Sequence, residues 1–153
     1  MNSRQLQAAW FSQASNKWPL DTYIQTSGWN DRDFWSIIEY VGWGKKTYNY
    51  REIEELLIGE LSTNSGPWFT KTYYKFEAVL IDKINQWERK SDKRLPLGDD
   101  GFSDLVSHII GLGSKEYWQA MRDPELALKR AESGDYKESF GYAIPSRNDY
   151  GGI

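Results

Sequence analysis

The sequence predicts an all-α fold: a single-domain bundle of about six or seven helices around a long central helix over residues 68–90. Three observations carry this expectation. Phe69, Tyr73, Phe76, Leu80, Ile84 and Trp87 recur at spacings of four, three, four, four and three, which is one face of a helix and, at 1.5 Å per residue, about 35 Å of it. The stretch from Leu95 to Glu125, LPLGDDGFSDLVSHIIGLGSKEYWQAMRDPE, is punctuated as helix, Gly turn, short helix, Asp-Pro, helix. The segment from Tyr50 to Leu61 places Ile53, Leu56, Leu57 and Leu61 on one side and Glu52, Glu54, Glu55 and Glu60 on the other, an amphipathic helix.

In chain order, Leu6, Trp10 and Ala14 with Phe11 predict a first helix over residues 3–17, ended by Pro19, because the residue before a proline is pushed out of the α region. Residues 19–29 read as a connector with a short extended piece at Thr22–Gln25. Asn30 or Asp31 can cap the next helix, whose stripe is Phe34, Ile37, Ile38 and Val41, widened by Trp35 and Tyr40. Gly42 and Gly44 end it, and residues 45–49 form a loop before the 50–61 helix. Ser62 to Pro67 is a loop by composition, as is Ser91 to Gly98 after the long helix.

Asp99 or Asp100 is expected to cap the helix whose stripe is Phe102, Leu105, Val106, Ile109 and Ile110, since a short side-chain oxygen accepts an orphan backbone N–H. Gly111 and Gly113 are expected to stop it. Ser114 caps a helix carrying Tyr117, Trp118 and Met121, and Asp123 with Pro124 starts another through Leu126, Ala127, Leu128 and Ala131 to Gly134. Phe140, Tyr142 and Ile144 then predict an extended tail or a short helix docked on the body, with 145–153 frayed. No repeat or linker divides the 153 residues, so 1–153 is read as one domain.

A chain of this length buries roughly 68–70% of its unfolded surface. Aromatic residues make up 16% of it, with eight Trp, against a mean hydropathy of −0.72. Rings must therefore supply much of the core, and any that stay outside suit a protein interface. The net charge is −3, which does not favour nucleic acid as a partner. The absence of cysteine excludes disulfides and thiolate metal sites and fits a reducing compartment. No apolar run reaches the ~18 residues of a membrane span, and the first residues lack the apolar core of a secretory signal. A cytoplasmic protein without cofactor or metal is expected.

The residues that could carry chemistry are few. His108 is the single histidine, with Asp104 one turn before it. Such a pair can act as general base, but does not complete a zinc site, and both are expected on the polar face opposite Phe102, Leu105 and Ile109. Asp99 and Asp100 are adjacent acids, read as caps rather than as an acid–base pair. No GxSxG, P-loop, GxGxxG or HExxH motif is present. No catalytic residue is assigned and the chain is not read as an enzyme.

FWSIIEY at 34–40, LLIGELS at 56–62, the F, Y and FEAVL positions of 69–80, and above all DDGFSDLVSHIIGLGSKEYWQAMRDPELA at 99–127 resemble a bacterial domain of unknown function, the one numbered 4240. ESFGY at 138–142 is similar to that family's closing element. The resemblance covers about residues 30–144. The chain departs from the family by its N-terminal helix and by Ser107-His108 where the family often has a Trp. The resemblance implies an all-helical fold and, because some members are candidate immunity proteins of polymorphic toxin systems, an inhibitor that binds a cognate antibacterial toxin domain and blocks its active site. It carries over no catalytic residues.

Small size, mild acidity and spare aromatics fit the same reading. The candidate toxin-binding residues are Trp29, Asp31, Asp33, Trp43, Glu54, Glu55 and Trp68, at helix ends, in loops, or on the acidic side of a helix. The alternatives are a regulatory or adaptor protein, or a hydrolase that reverses toxin damage using Asp99, Asp100, Asp104 and His108.

Overall fold

Capping chemistry sets where the chain turns helical. In the computed structural model, which describes residues 30–43, 49–61, 63–138, 140–146 and 149–150, six α-helices are followed by one 3₁₀ turn, with no strand among the described residues. The expected helix over 3–17, the connector with its extended piece at 22–25, and Trp29 lie outside the described residues.

Helix α1 (Asp31–Val41) opens with a capping box. Asn30 Oδ1 accepts the N–H groups of Arg32 at 2.9 Å and Asp33 at 3.2 Å, and the N–H of Asn30 donates back to Asp33 Oδ2 at 3.0 Å. Three otherwise orphan N–H groups are thereby satisfied, those of Asn30 and Asp33 reciprocally. Gly42 ends the helix at φ 67°. Helix α2 (Tyr50–Glu60) is capped by Asn49, whose side chain accepts from the N–H of Glu52 at 2.9 Å.

Helix α3 (Ser65–Ser91) is the longest element at 27 residues, about 40 Å. It starts earlier than its periodicity implies: Ser65, Gly66 and Pro67, read from composition as loop, form its first turn. Proline is tolerated there because the N–H it lacks would have no intrahelical partner. Of the expected stripe, Phe69, Tyr73, Phe76, Leu80 and Ile84 are buried, and Trp87 is half-buried.

Helix α4 (Asp99–Leu112) corrects two expectations. Its cap is Gly98, with no side-chain hydrogen bond at the cap; Asp99 and Asp100 sit inside the first turn, where their charge favours the positive end of the dipole. Gly111 lies within the helix rather than ending it, because its missing side chain makes room for Trp43 and Phe140. Gly113 ends the helix at φ 115°, beside the Glu39 carboxylate. Helix α5 (Ser114–Arg122) follows without a cap from Ser114. Helix α6 (Glu125–Ser133) begins after Asp123, whose Oδ1 accepts the N–H of Glu125 at 3.2 Å, and ends at Gly134.

The core is aromatic. The Phe34 ring packs against those of Trp35, Phe69 and Phe76 at 5.0–5.2 Å between centroids, and Trp35 against Phe76 and Tyr117 at 4.8 and 5.0 Å. Tilted and edge-on pairs at such distances add to the area each ring buries. The Tyr117 hydroxyl donates to the Phe76 carbonyl at 2.8 Å, tying α5 to α3. Helix α3 packs against α1, α4 and α5, and α4 packs against α1, α3, α5, α6 and the 3₁₀ turn. The longest helix is thus the spine, and α4 is the element that most of the others meet.

The 3₁₀ turn (Phe140–Ala143) buries Phe140 and Ala143. The chain after it does not fray at once: Ile144 and Pro145 are buried, and Tyr150 is only 3% exposed. A large ring with a hydrogen-bonding hydroxyl has enough surface to bury to hold a tail in place. Residues 147–148 and 151–153 lie outside the described residues.

Candidate binding surface

The sequence-expected contacts separate by burial. Asp31 is exposed and pairs with Lys75 at 2.9 Å. Asp33 is fully buried: it faces the α1 cap instead of a partner, because the carboxylate that completes the capping box must turn back toward Asn30. Its Oδ1 has no hydrogen-bond partner among the described residues, and burial pushes its carboxyl up to about 6 against the opposing Asn30 N–H. Trp43 is also interior, packed on Phe140 at 5.2 Å, with Nε1–H donating to His108 Nδ1 at 3.0 Å. Asp33 and Trp43 are therefore withdrawn as surface contacts. Glu54 and Trp68 are half-buried, and Glu55 is exposed on α2.

His108 is buried, not on a polar face with Asp104. Its Nδ1 accepts both the Trp43 indole and the Lys137 backbone N–H at 3.2 Å. A doubly accepting Nδ1 requires the neutral ring with its proton on Nε2. Burial, reinforced by Arg130, lowers its pKa to about 4. No hydrogen bond joins His108 to Asp104 among the described residues, so the acid–base pair is not formed. Nor do the described residues contain a group of three or more His, Asp or Glu placed to hold a metal ion.

The fold assembles a different site. Tyr73, Tyr74 and Glu77 from α3, Asp100, Asp104 and Ser107 from α4, and Gly141 and Tyr142 from the 3₁₀ turn line a hollow of about 270 Å³. Tyr74 and Tyr142 stand at 51% and 63% exposure, a costly position for large rings unless something covers them. The buried Tyr73 hydroxyl donates to Glu77 Oε2 at 3.0 Å. Burial raises the Glu77 carboxyl, partly countered by that hydrogen bond. Burial and the neighbouring charges of Glu138 and Asp100 raise Asp104. None of the ion pairs between described residues brings a cation to these three carboxylates. The raised carboxyls of Glu77 and Asp104 would be relieved by an incoming positive charge, and the two rings offer faces for an ammonium or guanidinium.

Tyr142 also links this hollow to α2, since its ring packs edge-on against Tyr50 at 5.8 Å. Helix α2 carries four glutamates against one arginine. A third exposed ring lies outside this hollow: Trp118, read from sequence with Tyr117 and Met121 as part of its helix, is 46% exposed beside Phe76.

Sequence reasoning missed Tyr74, Glu77 and Tyr142 as a set. Tyr74 lies between core positions of α3, and no local spacing relates it to Tyr142. Asp100 and Asp104 were visible as acids but not as neighbours of those rings.

No family model, curated protein or solved structure matches the chain. No helix among the described residues is long and apolar enough to cross a membrane.

Proposed function

We propose that this chain is a non-catalytic binding module, an immunity protein that holds a cognate antibacterial toxin domain in the cytoplasm and blocks its active site. The observation that carries the reading is the hollow between α3, α4 and the 3₁₀ turn: two exposed tyrosines over Glu77, Asp100 and Asp104, joined through Tyr50 to acidic α2. Exposed tyrosines are the kind of anchor that interface hot spots use, and like-signed acids steer a basic partner surface into contact. The resemblance of residues 30–144 to a family with candidate immunity proteins points the same way. Within this reading Glu54 and Glu55 extend the acidic surface, Asp31 is an outlying contact, and nucleic acid and membrane are not partners.

The test is co-expression with the toxin domain encoded beside this chain, followed by co-purification. The expected result is a one-to-one complex that rescues growth, weakened at least tenfold by Tyr142→Ala and by Asp104→Lys. Rescue without a complex would replace the reading with reversal of damage. A complex indifferent to both substitutions would move the interface off this face.

A further inference from the structure

Helix α2 is held to the body in an unusual way. Among the described elements its main packing partner is the 3₁₀ turn, not a helix. Its inward residues Ile53 and Leu57, and Leu61 at its C-cap, are buried, so the turn is a main seat of the helix among the described elements. The turn in its own right is held at two places. Phe140 packs on Trp43 and on Tyr73, with Gly111 leaving room for it on α4. Beyond the turn, the chain is pinned to the first turns of α3. Thr70 Oγ1 donates its only proton to the Pro145 carbonyl at 2.8 Å. The Tyr150 hydroxyl must then be the donor in its 2.7 Å contact with Thr70 Oγ1. The Tyr150 ring packs directly on Gly66, where a Cβ would clash with the ring. Gly66 stands in the first turn of α3, and its bare backbone is the seat for the ring.

We infer that residues 140–146, together with Tyr150 latched on Gly66 and Thr70, act as a strap that positions α2 and Tyr142 against the bundle. Helix α1, α4 and the aromatic centre of α3 are closed by their own contacts, so releasing the latch loosens α2 and the turn without opening the core. The inference concerns the free protein. It adds to the binding proposal, in that Tyr142 rides on the strap, but does not depend on it.

Hydrogen exchange on the full-length protein tests this without any partner. In Tyr150→Ala, amides of α2 and of 140–144 are expected to exchange at least tenfold faster, while those of residues 105–110 keep their protection. Tyr150→Phe retains the ring on Gly66 and is expected to show a smaller rise in the same segments. Thr70→Val, which loses both hydrogen bonds at nearly constant volume, is expected to do likewise and serves if Tyr150→Ala does not fold. Unchanged exchange in α2 in these variants would overturn the inference. So would a uniform rise that includes 105–110, since that reports global destabilisation and not release of a strap.

Discussion

Asp33 and His108 are both buried titratable groups, and they pull stability in opposite directions with pH. The Asp33 carboxyl is raised from 3.8 to about 6, so between those values the folded state binds more protons than the unfolded state. Its contribution is present at low pH and is lost as pH rises through about 6. His108 is lowered from 6.5 to about 4, so the unfolded state binds more protons in that window, and stability is lost as pH falls through it. Asp33→Asn keeps an acceptor for the Asn30 N–H and removes the buried charge. It is expected to stabilise the protein by about 1 kcal/mol at pH 7, a net effect of ordinary buried-polar size, and to lose that advantage below pH 4. His108→Gln, which can still accept from Trp43, is expected to flatten the loss of stability from pH 6.5 to 4. Urea midpoints across pH 4–7 measure both slopes; parallel curves for wild type and variants would show that neither group titrates on folding.

At Gly111 a missing side chain lets two buried rings close on α4. Gly111 lies in the last turn of α4, where sequence reasoning takes glycine as a stop, yet its role is to admit Trp43 and Phe140. Gly111→Ala improves helix propensity by roughly 1 kcal/mol but forces a methyl into two buried rings, an overpacking that costs about 1–3 kcal/mol. The steric effect should win because both rings are already held, Trp43 by its hydrogen bond to His108 and Phe140 by its packing on Tyr73. A lower Tm for Gly111→Ala, by several degrees, is the expected outcome of a thermal melt; a rise would mean the rings move away freely. Element boundaries, by contrast, were largely readable. Asn30, Asn49, Asp123 and Gly134 act locally, and α1, α2 and α6 start or stop beside them. The start of α3 was misread because Ser-Gly-Pro suits a loop as well as it suits a first helical turn.

For the whole molecule, charge is distributed in a way that its total of −3 conceals. Helix α2 and the hollow concentrate carboxylates near Tyr142, whereas Lys75 and Lys93 are already engaged by Asp31 and Glu125. Capture of a basic partner should therefore be steered by charge. Its association rate is expected to fall several-fold between about 0.05 and 0.5 M salt while dissociation changes little. Stopped-flow or surface-binding kinetics would show it, and a salt-independent association rate would remove acidic steering from the proposal.

What the sequence by itself determined is the helical state of the chain and most of its breaks, because periodicity, caps and prolines act within a turn or two of where they stand. It also marked the aromatic character of the core. Which rings are core was decided only by tertiary structure. Trp43, at a helix end, is sealed under Phe140, while Trp118, inside a helix, stands in solvent. The same holds for the site: Asp33 and Trp43 turned inward, and Tyr74, Glu77, Asp104 and Tyr142 came together from three elements up to 68 positions apart in the chain. Burial and proximity belong to the packing of one element on another, and no local spacing encodes them.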